Sequence, residues 1–535
     1  MEKGFHSMHQ ATRRSLLFSA ATLPIAAPQV RADEAGASLA MAVGAVPTSL
    51  DPQYHTLTPN SALAQHFFDG LVHRDAQARL VPALAESWRL VDESTWEFKL
   101  RTGVTFHNGA PFTARDVVYT LDRVPKVVNS PGSFAVFTRA IKASEVLDDH
   151  TIRFRTEGVY PLLPADLSQI VILWSGLGDD ASQTGDFNSG RAVIGTGPFR
   201  LRSYRHGEAA EMERNPNYWG PKPAWAHVSY RFIGNDGSRV AALRAGDIAF
   251  IDAVPTTDLA RLRTERQFTL SETVSLRSVY LRPDHRERTA YVAGPNGEPL
   301  TVNPMRDLRV RQALSIAINR PAIAERIMAG AAIPTGQFMP PGTFGYVPDL
   351  AAPTYDPDRA RRLLAEAGYP QGFTITLHGP NDRYVNDAQV AQSVGQMWAR
   401  IGIKARIDTM PYAAFAQRNA RVDTSIPLGG WANSSGEPSA GLRGLLGTRD
   451  VSRGWGTVNR SGYSNPEFDA AVARALGTAD DGEREKLFQQ ATRIAAQDVA
   501  WIPLHIQKNI WAMRQGLAHT PRADEMTLAQ DVRPA

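Results

Sequence analysis

Catalytic patterns are hard to assemble from this chain's reactive residues. A phosphate-cradling GxxxxGK[ST] loop is absent, as are HExxH, a GxSxG nucleophile elbow and an SxxK pair. IGTGPFR (194–200) sets Gly195 and Gly197 at the separation of a dinucleotide-binding turn, but Arg200 stands in the third glycine's place. The 13 histidines are scattered. His107, in TFHNGAPF beside the tight-turn dipeptide Asn108-Gly109, reads as a turn neighbour rather than a metal ligand. The 54 carboxylates must form many accidental pairs, most of them solvated or ion-paired. These patterns predict no catalytic residue, no protein metal site and no cofactor.

Binding chemistry is easier to find. GGWANSSGEPSAGL (429–442) is expected to be a loop, because Gly and Ser support helix and strand interiors poorly. It holds Trp431 among Asn433, Ser434, Ser435 and Glu437. A tryptophan in so apolar-poor a stretch is expected to line a ligand cleft, with a packing anchor as the competing reading. HGPNDRYVND (378–387) follows a strand pattern and carries Arg383 and Tyr384. A guanidinium there suits a ligand carboxylate, which it can grip with two parallel hydrogen bonds; a solvated surface arginine is the alternative. Arg443, just beyond the glycine-rich stretch, is a second cationic candidate.

The elements that must position these residues are strands and helices in alternation. TWEFKLR (95–101) alternates Trp96, Phe98 and Leu100 with polar residues, and TIRFR (151–155), HVSYRFI (227–233) and FTITLH (373–378) repeat the pattern. Asp356-Pro357 opens a helix with a capping residue and a first-turn proline; Ala360, Leu363, Leu364 and Ala367 share one face, and Gly368 stops it. RVRQALSIAIN puts Val310, Ala313, Leu314, Ala317 and Ile318 on one stripe, and Asn465-Pro466 starts a further helix. Such a mixture over 535 residues predicts an α/β or α+β protein of several lobes, without internal repeats or a low-complexity linker.

Charge and composition narrow the setting. With 43% hydrophobic and 21% charged residues the chain is ordinarily globular. Residues 1–32 carry +3 of the formal +4, through Lys3, Arg13, Arg14 and Arg31 against Glu2. The remainder has no basic excess of the kind a nucleic-acid binder keeps on its folded part. TRRSLLFSAATLPIAAPQVRA combines a paired arginine, an apolar run from Leu16 to Ala27 and small residues at Val30 and Ala32, the layout of an export signal of twin-arginine type. The run is too short to span a membrane. Cysteine is absent, which excludes disulfides and a thiol for lipid attachment, so a soluble periplasmic product is expected.

Several stretches together resemble one family. LVPALAESWRL, TWEFKLRTGVTFHNGAPFTARDVVYTLDR, GTGPFRL with ERNPNYWG, AALRAGDIAFID, RVRQALSIAINR, YDPDRARRLLAEAGYP, YSNPEFDAAV and VAWIPLH are similar, in order, to the dipeptide/oligopeptide class (family 5) of ABC-transporter periplasmic solute-binding proteins. The resemblance runs from about residue 40 to the end. It implies an α/β, two-lobed periplasmic-binding-protein fold with hinge crossovers and an extra subdomain in lobe one. Lobe one would be 33–278 with the subdomain at about 59–186, lobe two 279–503, and 504–535 would return to lobe one. It further implies a monomer that closes on a small molecule or peptide and presents it to permease subunits in the inner membrane. Tyr54 in LDPQYHT lies near the edge where family members line the cleft, though a core role fits it too.

The resemblance also exposes a departure. Peptide-binding members carry an aspartate after the tryptophan that pairs with the peptide's α-ammonium group, and simple alignment puts Ser434 there. Either Glu437 takes that role from a shifted position, or the ligand lacks the ammonium group. The expected ligand is therefore a short or modified peptide or an opine-like amino-acid conjugate. Binding of a nickel chelate or haem, a secreted hydrolase reusing the cleft, and a chaperone or sensor are the alternatives.

Overall fold

The computed structural model describes residues 37–178 and 184–535; the export signal expected over residues 1–32 lies outside the described residues. The expected α/β mixture is organised around a nine-stranded sheet. Four strands and one helix around the site are labelled here: β1 (Phe268–Leu281), β2 (Thr374–Pro380), α1 (Tyr412–Ala420), β3 (Leu428–Ala432) and β4 (Ile502–Arg514).

In the large sheet β3 lies at one edge, followed by β1, β4, Phe250–Ile251, Ser38–Val43, His227–Phe232, Ala209–Arg214 and Phe199–Arg205; Ala332–Pro334 pairs separately with β4. Ser38–Val43 runs parallel to both of its neighbours, and β1 runs antiparallel to β3 and β4. The two long strands join separate cores. Phe268 at the start of β1 packs with Leu243, Ile248 and Leu259, while Val279 and Leu281 near its end pack with Leu314, Leu377 and Trp398. β4 repeats this in reverse, from Ile502 and Leu504 in the second core to Ile510 and Ala512 in the first. The chain thus has two lobes, and these strands cross between them.

Local signals read from the sequence appear where expected. Thr95–Leu100 lies between Ala85–Asp92 and Thr151–Thr156, and Ile141–Asp148 completes that antiparallel sheet. The helix Ala114–Arg123 begins with the Thr113 amide donating to Asp116 Oδ2 at 2.8 Å, and it buries Val117 and Leu121 against the sheet's Phe98 and Phe154. Asp356 caps the helix Pro357–Glu366 through the Arg359 amide at 2.8 Å, and Gly368 follows with φ of 91°. Asn465 caps Pro466–Leu476 in the same manner. His107 is held in a packing role, its Nε2 3.1 Å from the Gly197 carbonyl. Gly195 and Gly197 lie against the Phe67 backbone, where a Cβ would sit 2.0 and 2.4 Å from its atoms. Close packing explains that glycine pair without a dinucleotide.

One expectation fails. Residues 429–432 of the anticipated loop belong to strand β3, in register with β1 through Ser278 opposite Trp431, Val279 opposite Gly430 and Tyr280 opposite Gly429. Composition misleads here because the glycines answer to neighbouring rings rather than to a turn. A Cβ on Gly430 would lie 2.7 Å from the Tyr384 ring, and one on Gly429 3.4 Å from the Tyr280 ring.

Candidate functional site

β3 and the end of β1 form one wall of a cavity of about 240 Å³. α1 contributes Tyr412, Phe415 and Asn419; β3 contributes Leu428, Gly429, Gly430 and Trp431. Tyr280 comes from β1, Tyr384 from the segment after β2, and Arg282 and Arg460 complete the polar part of the lining. The walls are therefore aromatic, the charged groups are both arginines, and no Asp or Glu lines the cavity.

Trp431 is half-buried. Its Nε1 is covered and lacks a hydrogen-bond partner, and it faces Gly441, where a Cβ would approach to 3.1 Å. Tyr384 leans over β3 with its hydroxyl donating to the Gly430 carbonyl at 3.3 Å. Two guanidinium groups approach its ring, Arg277 at 5.9 Å and Arg383 at 5.6 Å. Burial pushes the Tyr384 hydroxyl above its ordinary pKa, while those arginines oppose the shift. Arg277 itself is held by Glu525, with Nε and Nη2 donating at 2.7 and 2.6 Å, so its charge is neutralised within the protein. Arg383 is exposed, forms no ion pair among the described residues, and also stacks on Tyr412 at 5.6 Å.

The other candidates sit elsewhere. Asn433 is buried; its amide donates to the Leu276 carbonyl at 3.1 Å, and its Oδ1 has no partner. Ser434 is exposed, and Ser435 donates to the Glu437 carbonyl at 3.2 Å. Glu437 is buried and accepts from Arg484 Nη1 at 2.5 Å and from the Ser439 hydroxyl. Burial pushes its carboxyl up and Arg484 opposes the shift, so this carboxylate already has its cation. Arg443 is half-buried near Tyr160, Arg139 and Asp166, away from the cavity lining, and burial lowers its pKa. Tyr54 also lies outside the lining; its carbonyl accepts from Ser130 Oγ at 2.6 Å. The structure thus brings Trp431 and Tyr384 together, with Arg383 at the edge.

Sequence reasoning missed Tyr280, Arg282, Tyr412, Phe415, Asn419 and Arg460. The Tyr412/Phe415 pair at i, i+3 carried a signal, but core helices show the same spacing. The burial of Arg282 follows from tertiary contacts that no local pattern reports. Among the described residues no group of three or more His, Asp or Glu is placed to hold a metal ion.

Residues 79–453 match the family described as bacterial extracellular solute-binding proteins, family 5 Middle. The chain belongs to this family. Its relatives include the glutathione-binding protein GsiB of Shigella flexneri, 29% identical over 492 residues, covering 90% of this chain and 91% of that one. The heme-binding protein A of Haemophilus influenzae is 29% identical over 477 residues, covering 84% and 83%. Among solved structures, the ABC transporter-associated periplasmic binding protein DppA from Helicobacter pylori, in complex with the peptide STSA, superposes with a TM-score of 0.76 at 26% identity, over 94% of this chain and 98% of that one. The expected family and two-lobed fold are therefore correct, and the relatives are solute-binding proteins rather than enzymes.

Proposed function

We propose that this family 5 protein captures a small polar solute in the cavity between Trp431 and Tyr384 and delivers it to the permease of an ABC importer. The observation that carries this reading is the cavity itself: aromatic walls and unneutralised guanidinium groups beside the strands that cross between the lobes. In this reading lobe one comprises 33–278 with its subdomain at about 59–186, lobe two 279–503, and 504–535 returns to lobe one. The protein is exported by the twin-arginine route, works as a soluble periplasmic monomer without a lipid anchor, and breaks no bond in its ligand. Among the described residues no helix is long and apolar enough to cross a membrane.

The ligand is a short or modified peptide or an opine-like conjugate. Of the two ways to accommodate Ser434, the geometry supports a ligand without a free α-ammonium group. Glu437 is committed to Arg484, and releasing it for a ligand would leave a buried guanidinium unpaired. Native mass spectrometry of the mature protein from its own periplasm, followed by release and identification of the bound molecule, tests this. A ligand lacking that amine is expected; a peptide with a free amino terminus would overturn the assignment of ligand class.

A further inference from the structure

The reading of the cavity as the capture site leaves its two arginines to be explained. Arg282 follows β1 directly and is only 6% exposed. Its Nη1 donates to the Val458 carbonyl at 3.0 Å and its Nη2 to Asn419 Oδ1 at 2.7 Å, so both partners are neutral. Its Nε is covered and has no partner. Arg460 lines the same cavity, half-buried, with no hydrogen bond or ion pair to any described residue. The acid nearest in effect to Arg282 is Asp284, which is occupied by Arg286, whose Nε donates to it at 2.8 Å. Burial pushes the Arg282 guanidinium below its ordinary pKa, and the neighbouring Arg460 pushes in the same direction.

Two cations on the wall of one cavity, with no carboxylate in its lining, repel each other, and the buried Arg282 is poorly solvated. An incoming anion relieves both costs. We propose that Arg282 and Arg460 form a carboxylate subsite, and that the ligand is a molecule whose planar or apolar body rests on Trp431, Tyr384 and Phe415 while a terminal carboxylate enters between the two guanidinium groups. The free donors of Arg460 supply hydrogen bonds to the carboxylate oxygens, and Arg282 supplies a charge whose orientation its neutral partners fix in advance. The subsite deepens the capture reading and depends on it. It also differs from the exposed Arg383, because its selectivity comes from charge buried behind aromatic walls.

The test measures calorimetric affinities of N-acetyl-Ala-Phe, N-succinyl-phenylalanine and N-acetyl-Ala-Phe-Glu, none with a free α-ammonium group, each against its carboxamide counterpart, for the mature wild type and for Arg460→Gln. The proposal expects at least one acid to bind at least tenfold more tightly than its amide, and Arg460→Gln to abolish that preference while the melting temperature stays near wild type. Arg460 has no partners to lose, so the variant should fold; Arg282→Lys, which keeps the charge but removes the planar fork, should weaken the preference in part. Equal binding of acids and amides, or an acid preference untouched by Arg460→Gln, overturns the subsite and leaves the capture reading standing. Failure of every probe to bind counts against the capture reading itself, and the subsite falls with it.

Discussion

At the scale of single residues, Trp431 and Glu437 were both candidates from the same short stretch, and the structure gives them different work. Trp431 lines the cavity, so a ligand captured there as proposed alters its surroundings. Trp431→Phe is expected to remove most of the ligand-induced change in tryptophan fluorescence; a variant that keeps the whole change would place the ligand elsewhere. Glu437 is buried against Arg484 and Ser439. Glu437→Gln removes one partner of a buried ion pair and should cost on the order of 3–5 kcal/mol, read by urea unfolding. A Glu437→Gln protein of unchanged stability with lost ligand binding would instead show that the carboxylate serves the ligand. Arg383 and Tyr384 were legible because a polar loop after a strand carried them. Arg282 was not legible: it follows an apolar strand, and an arginine's burial is decided by what packs over it from Asn419 and Val458, residues more than a hundred positions away in sequence.

At the scale of elements, helices with explicit caps were readable because the signals are local: Asp356, Asn465 and Thr113 each act within three residues. β3 was not, because Gly429 and Gly430 carry the composition of a turn while their reason lies in the rings of Tyr280 and Tyr384, distant in sequence. Gly430→Ala should therefore overpack the Tyr384 ring, costing about 1–3 kcal/mol and weakening ligand binding by displacing one wall of the cavity. Wild-type affinity in that variant would show that Tyr384 does not shape the site. β4 holds a second element-scale feature, His505, which is buried with both ring nitrogens unpartnered. Burial pushes its pKa down from 6.5 to about 4. As pH falls from 6.5 towards 4 the unfolded chain takes up a proton that the folded strand refuses, so stability is lost across that window, at up to roughly 1.4 kcal/mol per pH unit for this one group. The stability gap between His505→Gln and wild type should shift in favour of the variant by that amount over the same window; parallel pH profiles would remove His505 as a source of acid sensitivity.

At the scale of the whole molecule, the two crossing strands make relative movement of the lobes the natural response to a ligand, and one contact reports where the lobes meet. Gly436, which follows β3, has φ of 73°; a Cβ there would lie 2.8 Å from the Ala78 carbonyl and 3.0 Å from Arg74 Nη1. Ala78 and Arg74 belong to the stretch assigned above to lobe one, so a side chain at 436 would act as a wedge between the proposed lobes. Gly436→Val combines two effects, a left-handed backbone that a β-branched residue adopts at a cost of about 1–2 kcal/mol, and the wedge. Gly207→Val separates them: Gly207 has φ of 76° and nothing within 4 Å of its would-be Cβ, so that variant carries the backbone strain alone. Small-angle scattering with and without ligand should show compaction in wild type and in Gly207→Val, and a blunted response in Gly436→Val, accompanied by an affinity at least tenfold weaker. The affinity follows because a ligand that must close the lobes binds in proportion to the population that can close. If Gly436→Val compacts and binds as Gly207→Val does, the contact at Ala78 does not form on closure, and capture proceeds within the lobe that carries Trp431 alone.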